Sequence, residues 1–188
     1  ILKDLSLAKP MHRLLCGDVG FGKTEIAMRA AFVICLNNKR SVVLAPTTIL
    51  SNQLYACFKE RLGSFGFAVG QVSRLTKNNL NTIALFNNRK IDVLIGTHSI
   101  IKNRRVLLES SLIIVDEEHR FGVEHKEEIL KVSPRCHYLS MSATPIPRTL
   151  QLSLSGIRNI STLLSPPKER KPIITNIYYF NKTLIKTF

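Results

Sequence analysis

Residues 14–27 read LLCGDVGFGKTEIA, an apolar run, then a glycine-rich turn, then a helix-like pattern. Within them Gly17-Asp18-Val19-Gly20-Phe21-Gly22-Lys23-Thr24 fits G-x-x-x-x-G-K-[ST]. Glycines let backbone N–H groups curl around phosphate oxygens without Cβ clashes. The helix that follows points its positive end at the anion. Lys23 is then placed to reach the β- and γ-phosphates of a nucleoside triphosphate, and Thr24 to ligate Mg²⁺. A chance glycine turn before a helix is the competing explanation. The strand before the turn and the helix after it argue against that.

Outward from this stretch the chain alternates. β-Branched apolar runs occur at 42–45, 91–95, 112–115 and 138–141, with 13–16 and 67–72 as further candidates. Helix-like segments lie between them at 23–36, 49–62, 78–87, 124–131 and 148–153. Apolar runs without polar alternation suit strands buried on both faces, and strand–helix alternation suits a parallel sheet. The expectation is an α/β fold, a central mostly parallel sheet with helices on both faces.

The chain has 188 residues, 45% of them hydrophobic, enough for a domain with a core. No apolar run approaches the ~20 residues that span a bilayer, so no membrane partner is expected. Ile1 in place of Met suggests a fragment or a processed chain. Lys and Arg total 27 against 13 Asp and Glu, a net charge of +14. Such a surplus favours polyanions as partners. A genome rich in A and T would also inflate Lys, so charge alone leaves both causes open. The 4 cysteines, Cys16, Cys35, Cys57 and Cys136, form no C-x-x-C pair. All lie in apolar stretches and are expected to be buried thiols in a reducing compartment, the cytoplasm. From 165 the composition changes to SPPKERKP, expected to be a linker over 165–172. Residues 173–188, opening on IITNIYYF, are expected to begin a second, incomplete lobe after a first lobe over 1–164.

A triphosphatase with this loop needs a second carboxylate for its metal. LIIVDEEH supplies one, because Asp116 and Glu117 follow the strand run 112–115 at its carboxyl end, where parallel sheets bind ligands. Asp116 is placed to hold Mg²⁺, and Glu117 to orient or deprotonate the attacking water. Alone, DEEH would read as a solvated acidic turn. After a buried strand and downstream of a phosphate loop it reads as catalytic.

These motifs open a series. The chain resembles the superfamily 2 helicases and translocases, whose second motif is D-E-x-H, here Asp116-Glu117-Glu118-His119. APTTILSNQ (45–53) looks like their motif Ia, IGTHSII (95–101) like the T-H element after the fourth strand, and SATPIPRTL (142–150) like motif III. CGDVGFGKTEIAMRAAF, DEEHRFGVEHKE and MSATPIPRTL together resemble the bacterial transcription-repair coupling factors. The related RecG-type fork helicases typically carry Ser at the place of Phe21 and Gln at that of Glu118, so both positions favour the coupling factors.

The resemblance implies a RecA-like P-loop NTPase lobe, the first of two in an ATP-driven translocase on double-stranded DNA. That family displaces stalled RNA polymerase and recruits the damage-recognition protein of nucleotide excision repair. It implies ATP and Mg²⁺ as ligands, with Gly17 to Thr24 around the nucleotide and Thr24 and Asp116 at the metal. It further implies that Thr47, Thr48, Thr97 and His98 touch the DNA backbone. His119, Ser142 and Thr144 would couple nucleotide state to lobe movement. Hydroxyls at helix starts suit phosphate contacts that carry no sequence information. Equally, Thr47 and Thr48 fit as caps of the next helix, and His98 as an ordinary loop histidine. Arg120 fits either a surface cation or a lobe contact, and PIPR either a turn presenting Arg148 or a helix start with Pro147 first.

The chain departs from the family in places. It begins after the segment that reads adenine, it lacks most of the second lobe with its arginine finger, and it lacks the polymerase- and repair-binding domains. The family's AQQH is replaced by Ser51-Asn52-Gln53-Leu54. As it stands the chain is expected to bind ATP·Mg²⁺ and turn it over slowly. A RecG-like fork-remodelling lobe and a non-catalytic nucleic-acid-binding remnant are the rival readings.

Overall fold

Strands without a polar face need cover on both sides, and the sequence provides helices for both. A computed structural model describes residues 1–76, 78–143 and 159–167. In chain order the elements are α1 (Leu2–Leu5), β1 (His12–Gly17), α2 (Lys23–Leu36), β2 (Ser41–Leu44), α3 (Thr48–Gly63), β3 (Val69–Val72) and α4 (Asn79–Asn87). Then come β4 (Val93–Gly96), a 3₁₀ turn His98–Lys102, α5 (Arg104–Leu108), β5 (Leu112–Val115), a 3₁₀ turn Glu118–Arg120, α6 (Val123–Val132), β6 (His137–Ser142) and β7 (Asn159–Leu163). The strands form one 7-stranded sheet in the order β3-β4-β2-β5-β6-β1-β7. Every pairing is parallel, so the expected α/β sheet is wholly parallel among the described residues.

Side chains alternate between two cores, one on each face of the sheet. Val43, Leu112, Ile114, Leu139 and Met141 face α2 and α3, where they meet Ala27, Ala31, Ile34, Leu54 and Phe58. Val42, Leu44, Leu94, Ile113 and Tyr138 face the opposite way, against Phe86, Val106, Leu107 and Ile129. β2, β4, β5 and β6 are buried at every position. That is why β4 and β5 are apolar throughout, whereas β6 alternates Leu139-Ser140-Met141-Ser142 with its serines buried as well.

The edge nearest β1 differs from expectation. β7 pairs with β1 from Arg13↔Asn159 to Gly17↔Leu163. It is an edge strand with no fully buried residue, so NISTL has too little apolar content to announce itself. Helix α5 likewise has no counterpart among the expected elements. Asn103 caps it, its side chain accepting a hydrogen bond from Val106 N–H at 3.3 Å. The expected helix 148–153, the junction at 165–172 beyond residue 167, and the segment 173–188 lie outside the described residues.

One cysteine expectation is corrected. Cys16, Cys35 and Cys136 are buried, but Cys57 is exposed. Helix α3 turns Ser51, Leu54, Phe58 and Leu62 inward, and Cys57 falls beside that stripe on the solvent side. Burial pushes the Cys35 and Cys136 thiols up to about 12, which leaves them protonated and inert.

Candidate functional site

In a parallel sheet all strand carboxyl ends share one edge. The strand order therefore places the ends of β5, β6 and β1 side by side, and those of β3, β4 and β2 beside them. The phosphate loop leaves β1, the D-E-E-H segment leaves β5, and Ser142 ends β6 between the two. Sequence-distant motifs thus converge through topology alone.

The loop from Asp18 to Gly22 turns tightly. Phe21 N–H donates to Asp18 C=O at 3.2 Å, and Val19 N–H to the Asp18 carboxylate at 2.7 Å. Gly22 caps α2 at φ 86°, a left-handed conformation that an L side chain strains to adopt. A Cβ at Gly22 would meet nothing within 4 Å, so open space lies before the helix start. The first N–H groups of a helix have no intrahelical acceptor, and Gly22 brings no side chain to cap them. Donors facing open space at a positive helix end fit a phosphate group. Lys23 is 9% exposed, and its Nζ donates to the carbonyls of Gly17 at 2.6 Å and Asp18 at 3.0 Å. A buried ammonium held only by loop carbonyls is a cation that a phosphate would partner better. Thr24 follows in the first turn, partly buried.

Across β6 stands Asp116. Its N–H donates to Leu44 C=O at 2.9 Å, extending the ladder of β5 past its end. Burial, and then the charge of Glu117, raise its pKa above the ordinary carboxylate value. The Glu117 N–H, which donates to Asp116 Oδ1 at 3.0 Å, and the Lys23 charge act in the opposite direction. Two carboxylates crowded at a partly dry site are the setting a divalent cation relieves. Asp116 and Thr24 would hold it. Glu117 sits at φ 49°, left-handed for a residue with a long side chain. Non-glycine residues in that region cost about 1–3 kcal/mol and cluster at functional sites. The turn aims its carboxylate at His119, whose Nδ1 lies 3.3 Å from Oε2. Glu118, by contrast, points inward, 6% exposed, with Lys126 of α6 3.5 Å from its carboxylate. Arg120 is exposed.

The other half of the edge holds the remaining candidates. Thr47 caps α3, its Oγ1 accepting from Leu50 N–H at 3.2 Å, so the capping role is present. Thr48 opens the helix beside it. Thr97 is buried, with its Oγ1 3.1 Å from Ser99 Oγ. His98 is exposed and its ring centroid lies 5.8 Å from that of His125 on α6. Gly96, which ends β4, has no room for a side chain. A Cβ there would strike Val72 C=O and come within 2.6 Å of Ile100 Cδ1. Ser142 is buried at the end of β6. Thr144, Pro147 and Arg148 lie outside the described residues. His125 and Lys126 fall within the DEEHRFGVEHKE stretch, whose pattern assigns them no role. The one available signal was their place in the first turns of the helix directly after the D-E-E-H segment.

Comparison with known proteins agrees with this layout. Residues 4–153 match the DEAD/DEAH box helicase family. The chain is 46% identical over 188 residues to the transcription-repair-coupling factor of Borreliella burgdorferi and 43% identical to that of Bacillus subtilis. Each match covers 99% of this chain but only 17% and 16% of those relatives, so the chain spans about a sixth of their length. A structure of RecG bound to a three-way DNA junction superposes with a TM-score of 0.73 at 34% identity, over 91% of this chain and 23% of that one. No described helix is long and apolar enough to cross a membrane. On its sequence and its fold, the chain belongs to the DEAD/DEAH box helicase family.

Proposed function

We propose that this chain is the ATP-binding motor lobe of a double-stranded DNA translocase of the coupling-factor type. In the whole protein it would serve to displace stalled RNA polymerase and recruit the excision-repair damage-recognition protein. The observation that carries the chemistry is the placement of Lys23, after β1, and Asp116, after β5, on either side of the β6 end, close enough for their charges to interact. Lys23 leaves the loop carbonyls for the β- and γ-phosphates, and the helix N–H groups of α2 hold the remaining phosphate oxygens. Asp116 and Thr24 would hold Mg²⁺, which would supply charge neutralisation to the phosphates. Glu117 orients the attacking water and takes its proton. His119 and Ser142 register the nucleotide's state. The duplex lies over the β4 and β2 ends, where Thr47, Thr48, Thr97 and His98 meet its backbone.

The test is ATP hydrolysis with and without duplex DNA, beside Glu117→Gln, followed by displacement of a stalled polymerase from its template by the complete protein. Duplex-stimulated turnover that Glu117→Gln abolishes supports the motor. Turnover indifferent to duplex argues against it. A RecG-like fork-remodelling role is the second reading, favoured by the match to the RecG structure. Preference for a branched junction over plain duplex would decide for it.

A further inference from the structure

Helix α6 touches both halves of the strand-end edge. At its start Lys126 pairs with Glu118 of the D-E-E-H turn at 3.5 Å. One residue earlier, the His125 ring tilts 34° against that of His98, at a centroid separation of 5.8 Å. His98 opens the 3₁₀ turn after β4, and α6 packs against that turn. Consecutive residues of one helix thus hold the ATP-side turn and the β4 loop.

His125 has a second peculiarity. Its Nδ1 is buried and has no hydrogen-bond partner among the described residues. Buried polar atoms in folded proteins are nearly always satisfied, and an orphan asks for an explanation. Packing is no explanation, because an apolar ring would fill the same place without stranding a nitrogen. A Cβ at Gly122 would sit 3.9 Å from Nδ1, in ordinary contact, so nothing polar is offered to the nitrogen from that side. Coupling between sites requires an element with two arrangements, and a stranded nitrogen gives the segment a reason to leave the present one.

We infer that His125 is a positioning residue that links the Thr97-His98 loop to the D-E-E-H turn, so that nucleotide at one changes duplex affinity at the other. This inference rests on the motor reading above. It concerns how the two halves communicate, and it assigns no chemistry to His125 itself. When the D-E-E-H turn shifts with nucleotide, Lys126 moves α6, His125 leaves its present seat, and His98 is released to meet the duplex.

The test uses the 188-residue chain and a fluorescent blunt duplex, titrated with and without a non-hydrolysable ATP analogue and Mg²⁺. The unsubstituted chain should change duplex affinity about five-fold or more on adding the analogue. His125→Phe keeps a ring but removes the stranded nitrogen. It should melt no lower than the unsubstituted chain and bind the analogue as well, yet its duplex response should fall to near unity. His125→Ala should lose the response as well. A folded His125→Phe that keeps the full response overturns the inference and leaves the motor reading standing. So does one that loses analogue binding, since that would be a general structural effect. An unsubstituted chain with no response overturns this inference, while the motor reading stands or falls on the turnover assay above.

Discussion

At the end of β5, Glu117 is held at φ 49°, burial and the Glu117 charge raise the pKa of Asp116, and across the edge Lys23 is buried on two carbonyls. At the ends of β2 and β4, Thr47 caps a helix and Thr97 meets a neighbouring serine. Both halves grow from the same sheet and the same parallel geometry. They differ in strain. The other left-handed non-glycine residues, Asn38 and Arg89, follow the ends of α2 and α4, where such turns are ordinary. Among the described non-glycine residues, only Glu117 carries that conformation at the strand carboxyl ends. A site that must bind a dense polyphosphate and a metal gains from charges held by partners that a ligand can displace. A surface that must slide along any DNA sequence gains from shallow, unstrained hydroxyls.

The contrast breaks most readily at Glu117. Glu117→Gln should lower duplex-stimulated ATP turnover by about 10²–10⁴-fold while leaving the melting temperature close to unchanged. Equal turnover in a steady-state assay would remove Glu117 from the chemistry. Next is Asp116→Asn, which removes a crowded carboxylate. In chelator-treated protein it should raise unfolding free energy by about 0.5–2 kcal/mol in a urea titration while abolishing turnover, a trade typical of active sites. A less stable Asp116→Asn would mean that the site is not strained at all.

On the other half the expected effects are those of ordinary structure. Thr47→Ala should cost about 1 kcal/mol through loss of the α3 cap, and Thr47→Ser should restore it. If duplex affinity falls with Thr47→Ala and returns with Thr47→Ser, one hydroxyl serves as both cap and phosphate ligand. A stability loss with unchanged duplex affinity would leave the cap alone. The smallest effect lies at the opposite end of the sheet. His137 Nδ1 accepts from Met11 N–H at 3.0 Å, and burial, followed by the charge of Lys39, holds its pKa below the ordinary value. The unfolded chain therefore takes up this proton at a higher pH than the folded one. Stability is full above the ordinary histidine range and declines as pH falls through it towards the lowered folded pKa. His137→Asn should flatten that slope in urea titrations between neutral and mildly acidic pH, with little effect on nucleotide binding.

The nucleotide half was legible in the sequence because its chemistry demands residue types at fixed spacing. Gly22, Lys23 and Thr24 must be consecutive, and Asp116 must close a buried strand. Helix α2 and strand β5 have the boundaries that their patterns suggest. Legibility failed where tertiary context decides. Strand β7 is half-covered and polar, and only its pairing with β1 makes it a strand. Cys57 sits in an apolar neighbourhood by sequence but on the outer face of α3 in space. Thr47 could be read as cap or ligand, and the structure supplies the cap. The DEEHRFGVEHKE stretch assigns His125 no role, because its placement depends on a contact between segments that only folding brings together.

The most direct test of the claim that the β1–β5 edge is built for ATP·Mg²⁺ is an equilibrium titration of the chain with a fluorescent ATP analogue in the presence of Mg²⁺, beside Lys23→Ala. A charge-assisted contact to phosphate is worth about 1.5–3 kcal/mol, so Lys23→Ala should bind about ten-fold or more weaker at unchanged melting temperature. Equal affinity in the two proteins would contradict the account.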